Sequence, residues 1–268
     1  MWIDSPDEQG MRRLITLVQE RHHLNPQARI HALLDLSFAE SGLRGSIAEA
    51  YPHACNLLQG HYAGAGLDRV DSSLMELPQP ADESMMALMR LCAGRPMLSF
   101  ILASATLEQL QAHLRQQLEA QDDQGDVFIL RWADTRCLPT LHQCLDDLQR
   151  SRLMSGINAW LYLGRNGEPQ VISASAQQTL PPHRYPAPYT LDTTQIQAIR
   201  AGAHPDALLS LIASRPHLYG TLAGQPSLRH AVVRSVLQCT DGTTHTGQLL
   251  RAIAESLQAQ GLLEEKMP

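Results

Sequence analysis

Lysine is almost missing from this sequence of 268 residues. Lys266, close to the end, is the single lysine, and the other basic residues among the 21 Lys and Arg are arginines. A P-loop that holds nucleotide phosphates and a Schiff-base enzyme both need a lysine inside the fold. The composition therefore excludes both of these classes.

Recognisable catalytic motifs are missing as well. The sequence has no Gly-x-Ser-x-Gly elbow, no HExxH zinc motif, no CxxC pair and no EF-hand loop. These are the short patterns that place a nucleophile or a metal ion. We therefore expect no enzymatic activity, no cofactor and no metal site.

Long apolar runs and a surplus of positive charge are also absent. The apolar run over residues 97–105 is far shorter than the roughly 20 residues that a membrane span needs. A net charge of −6 argues against nucleic acid as a partner, because phosphate binding needs clustered basic residues. The acidic first ten residues do not resemble a signal peptide. We expect a cytoplasmic protein that binds neither membrane nor nucleic acid.

The cysteines do not form a disulfide pattern, since an odd number of scattered cysteines is typical of reduced thiols in the cytosol. Cys137 and Cys144 flank His142 on a predicted helix, which leaves a metal site open as an interpretation. Zinc motifs usually bring their ligands closer together in sequence. We interpret both cysteines as small apolar residues that face the core.

Helical and strand-like stretches divide the chain. Residues 1–27 are predicted to form an N-terminal helix, and residues 28–175 an α/β domain. The candidate strands of that domain are 29–36, 70–77, 97–103, 127–132, 157–163 and 170–173. Their alternation with helical stretches predicts βαβ crossovers, and therefore a mixed, partly parallel sheet with flanking helices.

A proline-rich stretch separates this domain from a second region. Residues 176–190 contain TLPPHRYPAP and are predicted to be a semi-rigid linker. Residues 191–268 show helical periodicity only and predict a small all-helical lobe. Asp192, Pro205 and Pro226 are predicted to open three of its helices, and Gly261 to end the last one.

The densest polar and aromatic cluster contains Arg131, Trp132, Asp134 and Arg136. One interpretation is a binding site at the carboxyl end of a strand, where open α/β sheets bind ligands. The other is a structural corner in which Asp134 caps the next helix and pairs with both arginines. We favour the structural corner.

Tyr185 and Tyr189 lie in the linker, where the prolines leave little core to bury them. They are therefore candidate partner-binding residues, because binding energy at interfaces is concentrated in Tyr, Trp and Arg. The alternative is that both rings fix the linker to the α/β domain.

Four segments carry a resemblance to a known family: residues 31–35, 74–78, 99–115 and 130–139. In that order they resemble the adaptor domain of type VI secretion systems, the Tap/TEC effector-loading chaperones. The sequence departs from the family pattern at Ala133, where a second aromatic is usual, and at Thr135, where a proline is usual.

The resemblance implies a non-enzymatic adaptor in the cytoplasm of a Gram-negative bacterium. Such a protein binds a type VI effector, often through the effector's N-terminal region, and helps to load it onto the VgrG spike protein. Two alternatives remain open: an immunity protein that neutralises a toxin directly, and a hydrolase without a recognisable motif.

Overall fold

Six strands form the main sheet in the computed structural model of the protein, which describes residues 2–60, 62, 71–174, 189–240 and 245–264. In spatial order the strands are β2 (Cys55–Asn56), β3 (Ser72–Glu76), β1 (Arg29–Asp35), β4 (Leu98–Ala103), β7 (Ile157–Leu163) and β8 (Pro169–Ser173). A smaller sheet contains β6 (Val127–Ile129), β5 (Glu119–Gln121) and β9 (Tyr189–Thr190).

Helices cover both faces of the main sheet. They are α1 (Glu8–Leu24), α2 (Ser41–Ala50), α3 (Asp82–Leu91), α4 (Leu107–Arg115), α5 (Leu138–Cys144) and α6 (Asp147–Leu153). Neighbouring strand residues point to opposite faces, so Phe100 packs in the core beneath α1 and α3, and Ile101 in the core beneath α4 and α5. The N-terminal helix α1 therefore shares the core of the α/β domain.

The mixed α/β fold class is confirmed, but its parallel pairing lies outside the main sheet. Every neighbouring pair of strands in the main sheet is antiparallel. β3 and β4 run in the same direction and are joined through α3, yet β1 lies between them. A parallel ladder joins β5 to β9 instead. Strand periodicity determines which face is buried, and does not determine which strand is the neighbour.

One predicted strand is shorter than expected. The strand predicted over residues 127–132 ends at Ile129, and a series of turns follows it. Further along the chain, α5 and α6 are separate helices. Leu145 is extended between them, and Asp146 with Gln149 forms a capping box that begins α6. Thr106 and Gln109 form a capping box at the start of α4.

β7 and β8 form a hairpin, and Gly167 adopts the left-handed conformation there, with φ 75°. The loop covers residues 164–168. The N–H of Gly167 donates to the carbonyl of Gly164 at 3.0 Å. Pro169 begins β8 at the edge of the sheet.

The described part of the C-terminal lobe contains four helices: α7 (Thr193–Ala213), α8 (Pro216–Tyr219), α9 (Pro226–Cys239) and α10 (Thr246–Ala259). They enclose a separate core around Ile212, Val233 and Ile253. The lobe is not entirely helical, because β10 (Thr221–Leu222) pairs with β11 (Leu263–Glu264). Gly261, with φ 67°, ends α10 as predicted.

α7 connects the two parts of the molecule. We predicted that a new helix begins at Pro205, and this is wrong, because α7 continues through that residue. Proline removes one helical hydrogen bond, but both halves of α7 are fixed by packing. Ile196 and Ile199 contact the α/β core, and Leu208 and Ile212 belong to the helical core. Over the described parts of the chain, no helix combines the length and the apolar content that crossing a membrane requires.

Candidate protein-binding site at the lobe junction

Asp134 lies at the centre of a buried ion-pair network. Its carboxylate is 1% exposed and accepts hydrogen bonds from Nε and Nη2 of Arg136, at 3.1 and 2.8 Å. It also accepts the backbone N–H of Arg136 at 2.9 Å. The predicted capping role is wrong, because α5 has Cys137 as its N-cap and no side-chain cap. Asp134 instead fixes the turn that precedes α5.

Arg131 joins the same turn to the end of β1. Its guanidinium donates to Asp35 Oδ2 and to Ser37 Oγ, both at 2.7 Å. It lies 3.9 Å from Asp134 Oδ2, so the ion pair predicted between these two residues is present but long. Arg131 remains about half exposed, whereas Asp35 is buried.

Trp132 is a core residue. Its indole is 2% exposed and packs edge-on against Trp160, with the ring centroids 5.7 Å apart. The Nε1–H donates to the carbonyl of Gln117 at 2.9 Å. Trp132 therefore holds the turn against the main sheet and is not available to a ligand.

Arg136 extends the network to the helical lobe. Its guanidinium lies 3.6 Å from Asp206 of α7. Asp206 in turn accepts a two-pronged hydrogen bond from Arg165 of the β7–β8 loop, at 2.9 and 2.7 Å. Burial opposes the charge of Arg136, but the hydrogen bonds and charge of Asp134 outweigh it and raise the pKa of the guanidinium. Sequence reasoning missed Asp206 and Arg165, because nothing in the local pattern links them to the corner.

The rings of Phe38 and Trp2 lie close to the guanidinium groups of the corner. The guanidinium of Arg131 lies 5.3 Å from the ring centroid of Phe38, and that of Arg136 lies 5.1 Å from it. Arg136 also lies 5.5 Å from the ring of Trp2, which packs edge-on against Phe38. These distances are within the range of cation–π attraction. Sequence reasoning did not identify Trp2 or Phe38 as neighbours of the corner.

An apolar groove of about 460 Å³ opens beside this network. Its lining includes Phe128, Ile129 and Leu141 of the α/β domain, and Ile199 with the small residues of α7. Trp2, Phe38 and charged residues of the network also line it. We call this cavity the apolar groove.

Part of the chain matches a family model. Residues 30–152 match the family described as "Domain of unknown function (DUF4123)". Searches of curated proteins and of solved structures found no match. The matched segment covers most of the α/β domain and all four residues of the predicted corner, whereas α7 and Trp2 lie outside it. The apolar groove is thus formed between the matched domain and the rest of the chain.

Tyr189, one of the two candidate partner-binding residues, is buried. The ring is 1% exposed, and the guanidinium of Arg152 lies 4.1 Å above its centroid. Its hydroxyl donates to the side chain of Gln117. The alternative interpretation fits this geometry, since the ring fixes the end of the linker to the α/β domain. Tyr185 lies outside the described residues.

Metal ligands do not gather at the corner. Within the ranges that the structure describes, no three His, Cys, Asp or Glu side chains are grouped closely enough to hold a metal ion. Cys137 and Cys144 are both partly buried.

Proposed function

We propose that the protein is a non-enzymatic adaptor that binds a type VI secretion effector, through the effector's N-terminal region, and helps to load it onto the VgrG spike protein. This activity takes place in the cytoplasm. The observation that carries the proposal is the family match over residues 30–152, which covers the four segments that resemble effector-loading adaptors. Neither the immunity-protein nor the hydrolase alternative has a comparable observation in its favour.

The apolar groove supplies a surface suited to a protein partner. Trp2 is 45% exposed and Ile129 is 47% exposed, and both line the groove beside the half-exposed Arg131. Tryptophan and arginine next to an apolar pocket are typical of the residues that dominate binding energy at interfaces. A helix or an extended segment of the effector fits such a groove.

The charged residues at the corner are poorly suited to catalysis. Asp35 and Asp134 are both paired with arginines, so neither carboxylate is a free base. Burial, together with the Asp134 carboxylate, raises the pKa of the Cys137 thiol to about 12. A nucleophilic cysteine must form a thiolate near neutral pH. These features favour a binding function over a catalytic one.

The test is co-purification of the chain with the effector encoded beside it. We expect capture by the wild-type protein and strong loss of capture with Ile129→Glu, because a charge is placed on the apolar groove. Leu228→Glu is the matched control, since Leu228 is a similarly exposed aliphatic residue on α9, 49% exposed, away from this groove. Failure of the wild-type protein to bind the effector would overturn the adaptor proposal.

A second assay separates the adaptor from an immunity protein. The adaptor should bring effector and VgrG into one complex and leave the effector's toxic activity intact in a cell-free reaction. Stoichiometric inhibition of the effector, without recruitment to VgrG, would support the immunity-protein alternative instead.

A further inference from the structure

β6 is an outer strand of the smaller sheet, and its pairing with β5 uses only one of its two sides. Antiparallel strands alternate between residue pairs that are joined by hydrogen bonds and pairs that are not. Leu130 donates its N–H to the carbonyl of Leu118 at 2.7 Å, and the carbonyl of Asp126 accepts the N–H of Asp122 at 3.1 Å. Phe128, midway between Asp126 and Leu130, therefore also directs its backbone groups to β5.

The backbone groups of Val127 and Ile129 point to the open side of β6. By the same alternation, their N–H and C=O groups have no hydrogen-bond partner in the part of the chain that the structure describes. Their side chains are 55% and 47% exposed. Outer strands of this kind are usually protected by Lys or Pro, because free N–H and C=O groups pair readily with another strand. β6 contains neither residue, so its open side is suited to accept a further strand.

The apolar groove lies along this open side. Phe128, Ile129 and Leu130 all line the groove, whereas β5 and β9, two strands that the structure describes, contribute no lining residue. Successive side chains of a strand point to opposite faces, so consecutive residues line one cavity when it runs along the edge of the strand. A segment bound in the groove is therefore within reach of the free N–H and C=O groups of β6.

The loop before β6 is acidic. Asp122, Asp123 and Asp126 lie in it, and none of them forms an ion pair with a described residue. Asp123 and Asp126 are exposed, and Asp122 accepts the N–H groups of Gln124 and Asp126. Three carboxylates beside the start of β6 favour a basic residue in a partner, and such charge complementarity gives specificity. We call residues 122–126 the acidic loop.

We propose that the effector segment binds as an extended strand that pairs with the open side of β6, places apolar side chains in the apolar groove and has a Lys or Arg beside the acidic loop. The inference rests on the proposed function and specifies the client's conformation as a strand. Main-chain hydrogen bonds contribute the affinity in such a pairing, and pockets for alternate side chains contribute the specificity. A helix in the groove would leave the N–H groups of Val127 and Ile129 without partners.

Amide hydrogen exchange, measured residue by residue by NMR, tests the pairing with the effector encoded beside the chain. In the free protein, Val127 and Ile129 should exchange faster than Phe128, because only Phe128 has a partner in β5. Binding of the effector should slow exchange at Val127 and Ile129 by about tenfold or more. A complex in which both amides keep their free rates would overturn the strand pairing and leave the proposed function intact. Absence of any complex would overturn both.

Proline substitution removes one of the free donors. Ile129→Pro deletes an N–H on the open side, where an outer strand tolerates proline. We expect effector binding to weaken by about tenfold. Ile129→Val keeps the N–H and a branched apolar side chain, so it should bind as the wild-type protein does. Thermal unfolding checks that both variants are folded, and equal binding by the two folded variants would overturn the proposal.

A second copy of the chain is the other possible occupant of the open side. Light scattering of the protein alone measures this, and we expect a monomer. A concentration-dependent dimer that Ile129→Pro abolishes would assign the open side of β6 to self-association and overturn the proposal.

Charge reversal tests the acidic loop. Asp126→Lys should weaken effector binding most strongly at low salt, where charges on the surface are least screened. Glu83→Lys is the matched control, because Glu83 is exposed on α3 and is absent from the lining of the apolar groove. It changes the net charge by the same amount. Equal binding by the two variants at low salt would overturn the assignment of a basic client residue to this loop.

Discussion

At the scale of single residues, the structural corner depends on Asp134. It is buried and holds the guanidinium of Arg136 by two hydrogen bonds, and Arg136 is itself only 11% exposed. Removing one member of a buried ion pair leaves the other charge without its partner, which costs more than the pair contributes in isolation. The arginine reaches a second carboxylate, Asp206, at a longer distance.

We predict that Asp134→Ala lowers the free energy of unfolding by about 3 kcal/mol. This exceeds the roughly 1 kcal/mol that a lost helix cap costs, because the structure gives Asp134 a buried ion pair in place of a capping role. Arg13→Ala is the control, since it breaks a bidentate pair with Glu168 at the exposed surface and should cost less than about 1 kcal/mol. Urea unfolding measures both, and similar costs for the two variants would contradict the prediction.

His113 is a second residue whose burial has a measurable consequence. Its Nε2 lies 2.9 Å from the carbonyl of Leu153. Burial lowers the pKa of the ring, and this outweighs the opposing effect of the hydrogen bond. Because the folded-state pKa is below the unfolded one, the stabilisation is present above about pH 6.5 and is lost as the pH falls.

We therefore predict that the free energy of unfolding decreases between pH 7 and pH 5, and that His113→Gln makes this decrease smaller. His217→Gln, the same substitution at an exposed ring on α8, is the matched control. Chemical denaturation at several pH values measures the slope. A His113→Gln profile identical to that of the wild-type protein would contradict the assignment.

At the scale of elements, the approach of α7 to α5 depends on Gly202. A β-carbon at this position would lie 2.7 Å from Cγ2 of Thr140, closer than side chains tolerate. Threonine is β-branched and has little freedom to turn away within a helix. The absence of a side chain at residue 202 thus sets the distance between the α/β domain and the helical lobe.

We predict opposite outcomes for two Gly→Ala changes inside helices. Gly45→Ala in α2 should stabilise the protein by about 0.5–1 kcal/mol, because the site is open and alanine favours helix. Gly202→Ala should give no gain or a loss, because the new methyl group meets Thr140. Thermal unfolding compares the two. In a Thr140→Ala background, which removes Cγ2 and Oγ1 from the contact, Gly202→Ala should cost less, and an unchanged cost would show that the contact is not the cause.

At the scale of the whole molecule, α7 and a set of polar contacts between described residues join the helical lobe to the α/β domain. The helical lobe has its own core, distinct from the two cores of the α/β domain. Asp206 connects α7 to Arg136 and Arg165 of the α/β domain. Near the N-terminus, Asp4 accepts the backbone N–H and the hydroxyl of Ser227 on α9, at 2.9 and 2.5 Å. The apolar groove lies at this junction.

We predict that Asp206→Ala loosens the helical lobe without unfolding the sheet. Hydrogen exchange in α9 and α10 should become about tenfold faster or more, which corresponds to about 1.4 kcal/mol. Exchange in β1, β4 and β7 should stay the same, since their core does not depend on Asp206. Glu168→Ala removes a surface carboxylate paired with Arg13 and is the control. An equal increase in hydrogen-exchange rates throughout the molecule would contradict the prediction that the helical lobe opens without the sheet.

Local patterns in the sequence determined several of the elements. The bounds of β7 match the predicted strand over residues 157–163, and Asp192, Pro226 and Gly261 begin or end their helices as predicted. Alternation, capping residues and glycine at a helix end act within a few residues of the chain. The sequence therefore carries these signals by itself.

The tertiary structure alone decided how these elements meet. In the folded protein, β1 lies between β3 and β4, and α7 continues through Pro205. Tyr189 is buried, and Asp206 lies close to Arg136. Each of these outcomes depends on residues that are distant in sequence, because packing of side chains from several elements overrides a local preference. The same is true of the apolar groove, whose lining comes from the α/β domain and α7 together. A local sequence pattern carries no information about such long-range contacts, which are determined only by the packing of the core.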